Sequence, residues 1–122
     1  MRHDDLEIKH DERGSLVEAF KLPNDGQVFY IKINPYAVRG NHYHKRKTEV
    51  FLVTEGAAVL RTKYRKTGII EEVILNANSP ATVAVRPDYT HSITALEQGA
   101  TVVVWSNTRY NDKTPDTYRE DV

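Results

Sequence analysis

The sequence contains no cysteine, and this absence removes several classes of chemistry at once. Disulfide bonds, thiolate metal ligands and cysteine nucleophiles are excluded, so any bound metal must be held by histidine, aspartate or glutamate. Glycine is also scarce, and its six residues form no Gly-rich dinucleotide-binding loop. We therefore expect neither a zinc-thiolate site nor an NAD(P) cofactor.

An excess of one sign of charge is absent as well. The 17 Lys and Arg residues balance the 17 Asp and Glu residues, which leaves neither a basic footprint for nucleic acid nor an acidic tail. No apolar run approaches the length of a transmembrane helix, and the polar start MRHDDLEIKH lacks the apolar centre of a signal peptide. We expect a cytoplasmic protein that binds neither nucleic acid nor membrane.

The sequence does contain a series of short β-type segments. Its 122 residues suit one domain, residues 1–122, with a single core. Turn signals separate the segments, and no long window has a helical apolar period. The segments rich in β-branched and aromatic residues are 15–21, 27–33, 49–53, 57–65, 69–75, 81–85, 91–96 and 101–105. They predict an all-β sandwich or closed barrel, with a jelly roll the natural choice, and an irregular tail from about residue 108.

The segment VRGNHYHKRKTEVFLVTEG, residues 38–56, places two of the five histidines one residue apart. Side chains alternate between the faces of a strand, so His42 and His44 point to the same side. Glu49 would face the other side of a straight strand, but the polar residues before it can turn the chain and return it to the same cavity. A fourth candidate, His91, follows a turn in VRPDYTHSI.

These four residues predict a metal site. Three imidazoles and one carboxylate, with no sulfur ligand, suit Zn, Fe, Mn, Ni or Co and leave two open positions on an octahedral ion. The two neighbouring histidines alone are a weak signal, because exposed histidines are common. The joint pattern favours a metal over solvated or hydrogen-bonded histidines.

The same residues resemble the two motifs of the cupin superfamily. The spacing from His42 to Gly56 resembles the first motif and RPDYTH resembles the second, which implies a cupin-type double-stranded β-helix. DERGSLVEAF, RGNHYH and PDTYREDV further resemble the C-terminal cupin domain of CapF-type capsular polysaccharide enzymes, over nearly all of residues 11–122. Tyr36 and Asp88 stand where the motifs usually have glycine, and Asp tolerates positive φ better than most residues.

The CapF-type resemblance implies a function. In that family the cupin domain is a homodimeric, metal-binding unit that epimerises C3 of a UDP-linked 4-keto-6-deoxy-N-acetylhexosamine, and a separate domain then reduces C4 with NADPH. By this resemblance the chain binds one divalent metal through His42, His44, Glu49 and His91, with zinc favoured over iron, nickel and manganese. It acts on a nucleotide sugar in surface polysaccharide precursor synthesis, with the reductase on another polypeptide or missing from the pathway.

A more distant resemblance, through DERG and RGNHY, is to the metal-free dTDP-4-keto-6-deoxyglucose 3,5-epimerases. It implies that Arg13 and Arg39 contact the nucleotide pyrophosphate, which suits the bidentate fork of a guanidinium. Surface salt bridges are the alternative for both arginines. In those epimerases the histidine at the position of His42 is the general base, but the three other ligand candidates here assign His42 to the metal and leave the base open.

Tyrosine and lysine supply the candidates for proton transfer. Tyr30 and Tyr64 lie on predicted strands and are the predicted catalytic residues, with packing in a β-rich core as the alternative. Tyr43 stands between two ligands, so strand alternation directs it away from the metal. Lys47 is a candidate by residue type, although residues 45–47 are most simply a solvated turn.

Three other functions share these features. A sugar-nucleotide 3,4-ketoisomerase begins with the same proton abstraction and returns the proton elsewhere. A non-catalytic cupin would bind a sugar nucleotide and regulate a partner, and would incorporate no deuterium into its ligand. A metal-dependent dioxygenase or isomerase on the same scaffold would need a different chemistry, with O2 uptake in the first case.

Overall fold

The computed structural model describes residues 1–2 and 4–122, and it is almost entirely β structure. One short 3-10 helix, Pro23–Asp25, occupies a predicted turn. The strands are β1 Lys9–Asp11, β2 Gly14–Lys21, β3 Gln27–Ile33, β4 Val38–Tyr43, β5 Glu49–Tyr64, β6 Ile70–Asn76, β7 Thr82–Val85, β8 Tyr89–Ser106 and β9 Tyr118–Arg119. The predicted all-β fold is confirmed. In the described part of the chain, no helix has the length and apolar character needed to cross a membrane.

The strands form one curled antiparallel sheet. Its order is β1-β2-β3-β8-β4-β9, and β5 joins it by pairing with β6, β7 and β8. The two longest strands, β5 and β8, pair from Glu49 with Ser106 at one end to Tyr64 with Tyr89 at the other. Every other strand except β1, β2 and β9 pairs directly with one of these two. Strands β5 and β8 therefore form the frame that brings residues distant in sequence together.

Two predicted strand ends lie inside continuous strands. β5 runs through Gly56, and β8 runs through the predicted turn at Gln98 and Gly99. Gly56 pairs with Ala100 whereas Ala58 pairs with Ala95, so residues 96–99 bulge out of the β5 ladder. Gly56 has φ 70°, and a Cβ there would lie 2.0 Å from the carbonyl oxygen of Gly99. Glycine at this position allows the two backbones to approach closely where the ladder is interrupted.

Neither β4 nor β9 is among the predicted segments rich in β-branched and aromatic residues, and both are close to the predicted ligands. β4 pairs with β8, and the predicted irregular tail contributes β9, which pairs His42 with Arg119 and Tyr43 with Tyr118. The rings of Tyr43 and Tyr118 stack with centroids 5.2 Å apart. The tail therefore covers one edge of β4 instead of remaining irregular throughout.

The two residues that replace the usual glycines of the cupin motifs keep a left-handed backbone conformation. Tyr36 has φ 62° and Asp88 has φ 66°, so the expectation that Asp preserves the second turn is confirmed. The Asp88 N–H donates to the carbonyl of His44 at 2.8 Å, and the Arg65 N–H donates to the Asp88 carbonyl at 3.0 Å. This turn therefore ties the segment after β4 to the start of β8.

The apolar core lies between the two layers of the curled sheet. Leu60 and Val102 are almost fully buried in it. Ile31 on β3, Phe51 on β5 and Ile93 on β8 belong to the same core and also line a cavity. The floor of the cavity is therefore a rigid, packed surface, and polar side chains at its rim are held by the same strands.

Candidate metal centre

The strand pairing brings the four predicted ligands together. His42 on β4 lies directly opposite His91 on β8, and Glu49 is the first residue of β5. His44 follows the end of β4, where the chain turns toward β5. The intervening residues return Glu49 to the side of the two histidines, as the sequence predicted.

The four side chains form a compact, mostly buried cluster. One ligand atom from each of His42, His44, Glu49 and His91 lies within 4.8 Å of all the others. The Glu49 carboxylate is 2.9 Å from Nε2 of His44 and 3.4 Å from Nε2 of His91. His44, Glu49 and His91 are buried, whereas His42 is partly accessible from the cavity.

The outer nitrogens of two of these rings face backbone carbonyls. Nδ1 of His44 bonds the Asp116 carbonyl, and Nδ1 of His91 bonds the Tyr89 carbonyl at 3.3 Å. A carbonyl only accepts, so each Nδ1 carries the proton. In the neutral ring Nε2 then presents a lone pair to the Glu49 carboxylate, which is also an acceptor. A cation satisfies this arrangement of facing lone pairs, and donors fixed in this way are typical of metal-binding histidines.

Electrostatic effects favour the protonation states of His42 and Glu49 that bind metal. Burial, assisted by the neighbouring His91 and His44, lowers the pKa of His42 to about 3, so that the ring is neutral at pH 7. Burial alone would raise the pKa of Glu49, but the neighbouring His44 and His91 rings hold it below its usual value. A neutral imidazole and an ionised carboxylate are the forms that bind metal. The donor set therefore fits a divalent cation.

The cluster forms part of the wall of a cavity of about 730 Å³. Apolar walls come from Phe29, Ile31 and Phe51, while Glu18 and Gln27 form a hydrogen-bonded polar pair at another side. This volume lies in the range of small-molecule sites. The cavity gives a ligand direct access to the four predicted metal-binding side chains.

Both predicted phosphate-binding arginines line this cavity. The Arg13 guanidinium is 2.5 Å from the Asp11 carboxylate, and Arg39 is 3.9 Å from the same carboxylate. Arg39 is largely buried, and this burial, with Arg13 nearby, lowers its pKa. Arg119 of β9, which the sequence did not indicate, adds a third guanidinium to the lining. The cavity wall thus carries three guanidinium groups, and the carboxylates of Asp5, Glu7 and Glu18 line it as well.

The structure does not bring Tyr30 or Tyr64 to the site. Phe29 and Ile31 line the cavity, so Tyr30 between them faces the opposite side of the sheet. Tyr64 stacks on Tyr89 at the far end of β5, with ring centroids 4.6 Å apart. The prediction that these two tyrosines line the cavity is therefore corrected. The prediction for Tyr43 is confirmed, because its ring faces away and lies under the guanidinium of Arg65.

Two residues beside the ligands differ from expectation: the sequence named Lys47 as a candidate but favoured an exposed position for it, and it did not indicate Asp116. The sequence favours a solvated turn for Lys47, but its side chain is buried and lines the cavity. Asp116, in the predicted irregular tail, accepts the backbone N–H groups of Lys45, Arg46 and Lys47 with its carboxylate. A charged residue after Pro115 in a polar tail is a signal for capping, but nothing local indicates which backbone groups it caps.

A protein family and a known protein both match most of this chain. Residues 9–118 match the family described as "Polysaccharide biosynthesis C-terminal domain". The chain is 35% identical over 115 residues to UDP-2-acetamido-2,6-beta-L-arabino-hexul-4-ose reductase of Pseudomonas aeruginosa, and this match covers 93% of the chain and 31% of the relative. The chain therefore spans about a third of the length of this relative.

Solved structures agree with the fold and with the CapF-type resemblance. The capsular polysaccharide assembling protein CapF from Staphylococcus aureus superposes with a TM-score of 0.93 at 32% identity, over 98% of this chain and 33% of that chain. A single-residue variant of oxalate decarboxylase from Bacillus subtilis superposes with a TM-score of 0.78 at 20% identity, over 94% of this chain and 30% of that chain. The second likeness concerns the fold alone, and together they confirm the predicted cupin fold.

Proposed function

Because the chain belongs to the polysaccharide biosynthesis C-terminal domain family, we propose that it is a metal-dependent cupin that epimerises C3 of a nucleotide-linked 4-keto-6-deoxy sugar. The names of its relatives support a role in making surface polysaccharide precursors, since one is a UDP-hexulose reductase and another a capsular polysaccharide assembling protein. The reduction is assigned to residues outside the shared third of the reductase or to a separate polypeptide. A homodimer remains a prediction, to be checked by measuring the mass in solution.

The proposed metal ligands are His42, His44, Glu49 and His91, and the proposed metal is zinc. Their nitrogen and oxygen donors lie within 4.8 Å of one another and suit a borderline divalent cation. A bound cation would supply Lewis acidity or would hold the shape of the cavity. The Asp116 and Tyr89 carbonyls would orient two of the rings toward it.

The substrate is proposed to lie in the cavity with its pyrophosphate against Arg13 and Arg39. Both guanidinium groups line the cavity, and a planar fork of N–H donors matches phosphate oxygens. Asp11 now occupies part of this donor set, so pyrophosphate would compete with it. The sugar would then extend along the cavity toward the four ligands.

The proposed chemistry is proton transfer next to a ketone. The C3–H bond breaks, its electron pair forms the C3–C4 double bond, and the carbonyl pair moves to the C4 oxygen. A base takes the proton from one face and an acid returns a proton to the other face of C3. Both groups must face the cavity, which Tyr30 and Tyr64 do not. The base therefore remains open among the side chains that line it.

The observation that carries this proposal is that four ligand-type side chains and two predicted phosphate-binding arginines line one cavity. The test is to incubate the zinc-loaded protein in D2O with a UDP-linked 4-keto-6-deoxy-N-acetylhexosamine and follow deuterium at C3 by NMR. We expect exchange and the appearance of the C3 epimer. Exchange with a shifted carbonyl instead would indicate a ketoisomerase. Binding of the nucleotide sugar without exchange would indicate a binding module and refute the proposal.

The metal assignment has its own matched pair of variants. His44→Ala should bind much less zinc per chain than the wild type, because it removes a buried ligand. His10→Ala, which removes an exposed histidine of β1, should bind as much zinc as the wild type. Elemental analysis after dialysis measures both. Equal zinc content in His44→Ala and the wild type would remove His44 from the site.

A further inference from the structure

Lys47 is a buried cation in a segment whose other cations are exposed. Lys45 and Arg46 immediately before it face solvent, whereas Lys47 is only 6% exposed. Its side chain lines the same cavity as His44 and Glu49. Burial of a lysine is uncommon unless the ammonium is paired, so its position requires an explanation.

The side chain of Lys47 has no counter-ion in the described part of the chain. Within residues 1–2 and 4–122, no carboxylate lies at ion-pair distance from its ammonium, and no hydrogen bond from it is formed. Two guanidinium groups of the cavity differ, since Arg13 and Arg39 both lie beside the carboxylate of Asp11. The only fully buried side-chain nitrogen or oxygen without a hydrogen bond in the described residues is Nε of Arg61, so the Lys47 ammonium itself opens into the cavity. An anionic or strongly polar oxygen of a ligand there can therefore accept a hydrogen bond from it.

The backbone holds Lys47 in place from both sides. Its N–H donates to the Asp116 carboxylate at 3.0 Å, and the next N–H, of Thr48, donates to the side-chain oxygen of Asn107 at 2.9 Å. Glu49, two residues further on, begins β5. The backbone from which the Lys47 side chain enters the cavity is therefore held in place before a ligand binds, which favours electrostatic stabilisation in a site.

We propose that the ammonium of Lys47 donates a hydrogen bond to the C4 ketone oxygen of the substrate and stabilises the negative charge that develops there as the C3 proton leaves. This inference rests on the proposed function, because only abstraction next to a ketone places charge on that oxygen. The proton itself goes to a separate base, and Lys47 keeps its own protons throughout. Donors aimed at a developing oxyanion are often the largest single contribution to such reactions.

The test compares Lys47→Met with Lys45→Met, which removes a solvent-exposed lysine from the same segment. The zinc-loaded proteins are assayed for deuterium exchange at C3 over a range of substrate concentrations, and for zinc content and binding of UDP alone. Lys47→Met should lower kcat roughly 100-fold with a much smaller change in KM, because the charge appears only in the transition state. Zinc content and UDP binding should be unchanged, and Lys45→Met should resemble the wild type in every measurement.

Several outcomes separate this inference from the proposed function. If the wild type exchanges deuterium and Lys47→Met exchanges within about twofold of it, the Lys47 role is wrong and the epimerase proposal stands. A higher KM with unchanged kcat would make Lys47 a ground-state contact and also overturn the inference. If the wild type does not exchange, the proposed function fails and the Lys47 role fails with it. If Lys47→Met does not fold, Lys47→Gln, which keeps an uncharged donor, is expected to lose kcat to a smaller degree, and full retention would refute the charge effect.

Discussion

Asp116→Ala is the substitution expected to show most directly that the C-terminal segment builds the metal centre. The carboxylate of Asp116 is largely buried and accepts three backbone N–H groups, from Lys45 at 2.9 Å, Arg46 at 2.8 Å and Lys47 at 3.0 Å. Its own carbonyl accepts Nδ1–H of the proposed ligand His44. One residue therefore fixes both the turn after β4 and the orientation of a ring.

The magnitude follows from these contacts. A hydrogen bond to a charged acceptor contributes about 1.5–3 kcal/mol, and the exposed turn lets water replace part of it, so the low end applies. Three such bonds predict a loss of about 4.5 kcal/mol in the free energy of unfolding. In a domain of this size, 1 kcal/mol corresponds to about 4 °C, so the melting temperature should fall by about 18 °C. Alanine keeps the carbonyl that accepts Nδ1–H of His44, but the segment that places this carbonyl loses its three bonds to the turn. Because loss of the support behind a metal-binding histidine typically weakens metal binding by about 10–100-fold, we expect an effect at the low end of that range.

The assay is thermal unfolding of the chelated proteins, followed by zinc titration of the folded proteins at low temperature. Asp112→Ala is the matched control, because it removes an exposed carboxylate from the same tail. The control should match the wild type in both measurements. A stability for Asp116→Ala within about 1 kcal/mol of the control would refute the capping role, and unchanged zinc affinity would refute the link to His44.

Three further predictions concern close packing, pH and the phosphate site. Gly56→Ala should destabilise the protein by at least about 3 kcal/mol, because its Cβ would lie 2.0 Å from a carbonyl oxygen. Gly68→Ala, which has a similar φ but open space around the Cβ, should destabilise by only about 1 kcal/mol. Equal losses of stability in urea unfolding would refute the steric argument. Hydrogen bonds from Arg65 and Thr90 lower the pKa of Glu120 to about 2, so its stabilising contribution should be present above the unfolded pKa of about 4.5 and be lost as the pH falls from there to about 2. Glu120→Gln should therefore approach the wild type in stability over that window, and a constant difference between the two at every pH would contradict this linkage. Arg39→Ala should weaken binding of UDP roughly 10-fold or more and leave binding of a free monosaccharide unchanged by calorimetry, whereas equal losses would make the arginine structural.

The ligand set could be predicted from the sequence because its signals are local. His42 and His44 share a direction through strand alternation, and His91 follows a turn that Asp88 still forms with φ 66°. Their joint spacing with Glu49 identified the cupin motifs before any tertiary information. Strand bounds were less predictable at Gly56, since a glycine that permits a bulge and close approach has the same local signature as one that ends a strand.

The placement of catalytic candidates could not be predicted in the same way. Tyr30 pairs with Val17 and Val103, and its face of β3 is the one opposite to the cavity. Alternation along a strand determines that neighbouring side chains face opposite sides, but it does not determine which side becomes the interior. That choice depends on how β3 packs in the curled sheet, which involves residues more than seventy positions away along the chain.

The sequence alone determines the all-β fold class, the four ligand-type side chains and the lack of cysteine chemistry. These features follow from composition, strand alternation and motif spacing, which are properties of short segments. Three features appear only in the folded chain. Lys47 is buried beside the cavity, Asp116 bonds the turn beside the ligands, and Arg119 lines the cavity wall. These positions depend on a tail that returns across about 70 residues to pair with β4. A charged residue in a polar segment has the same local appearance whether it faces water or a site, so its role is decided by the partner that the fold brings to it.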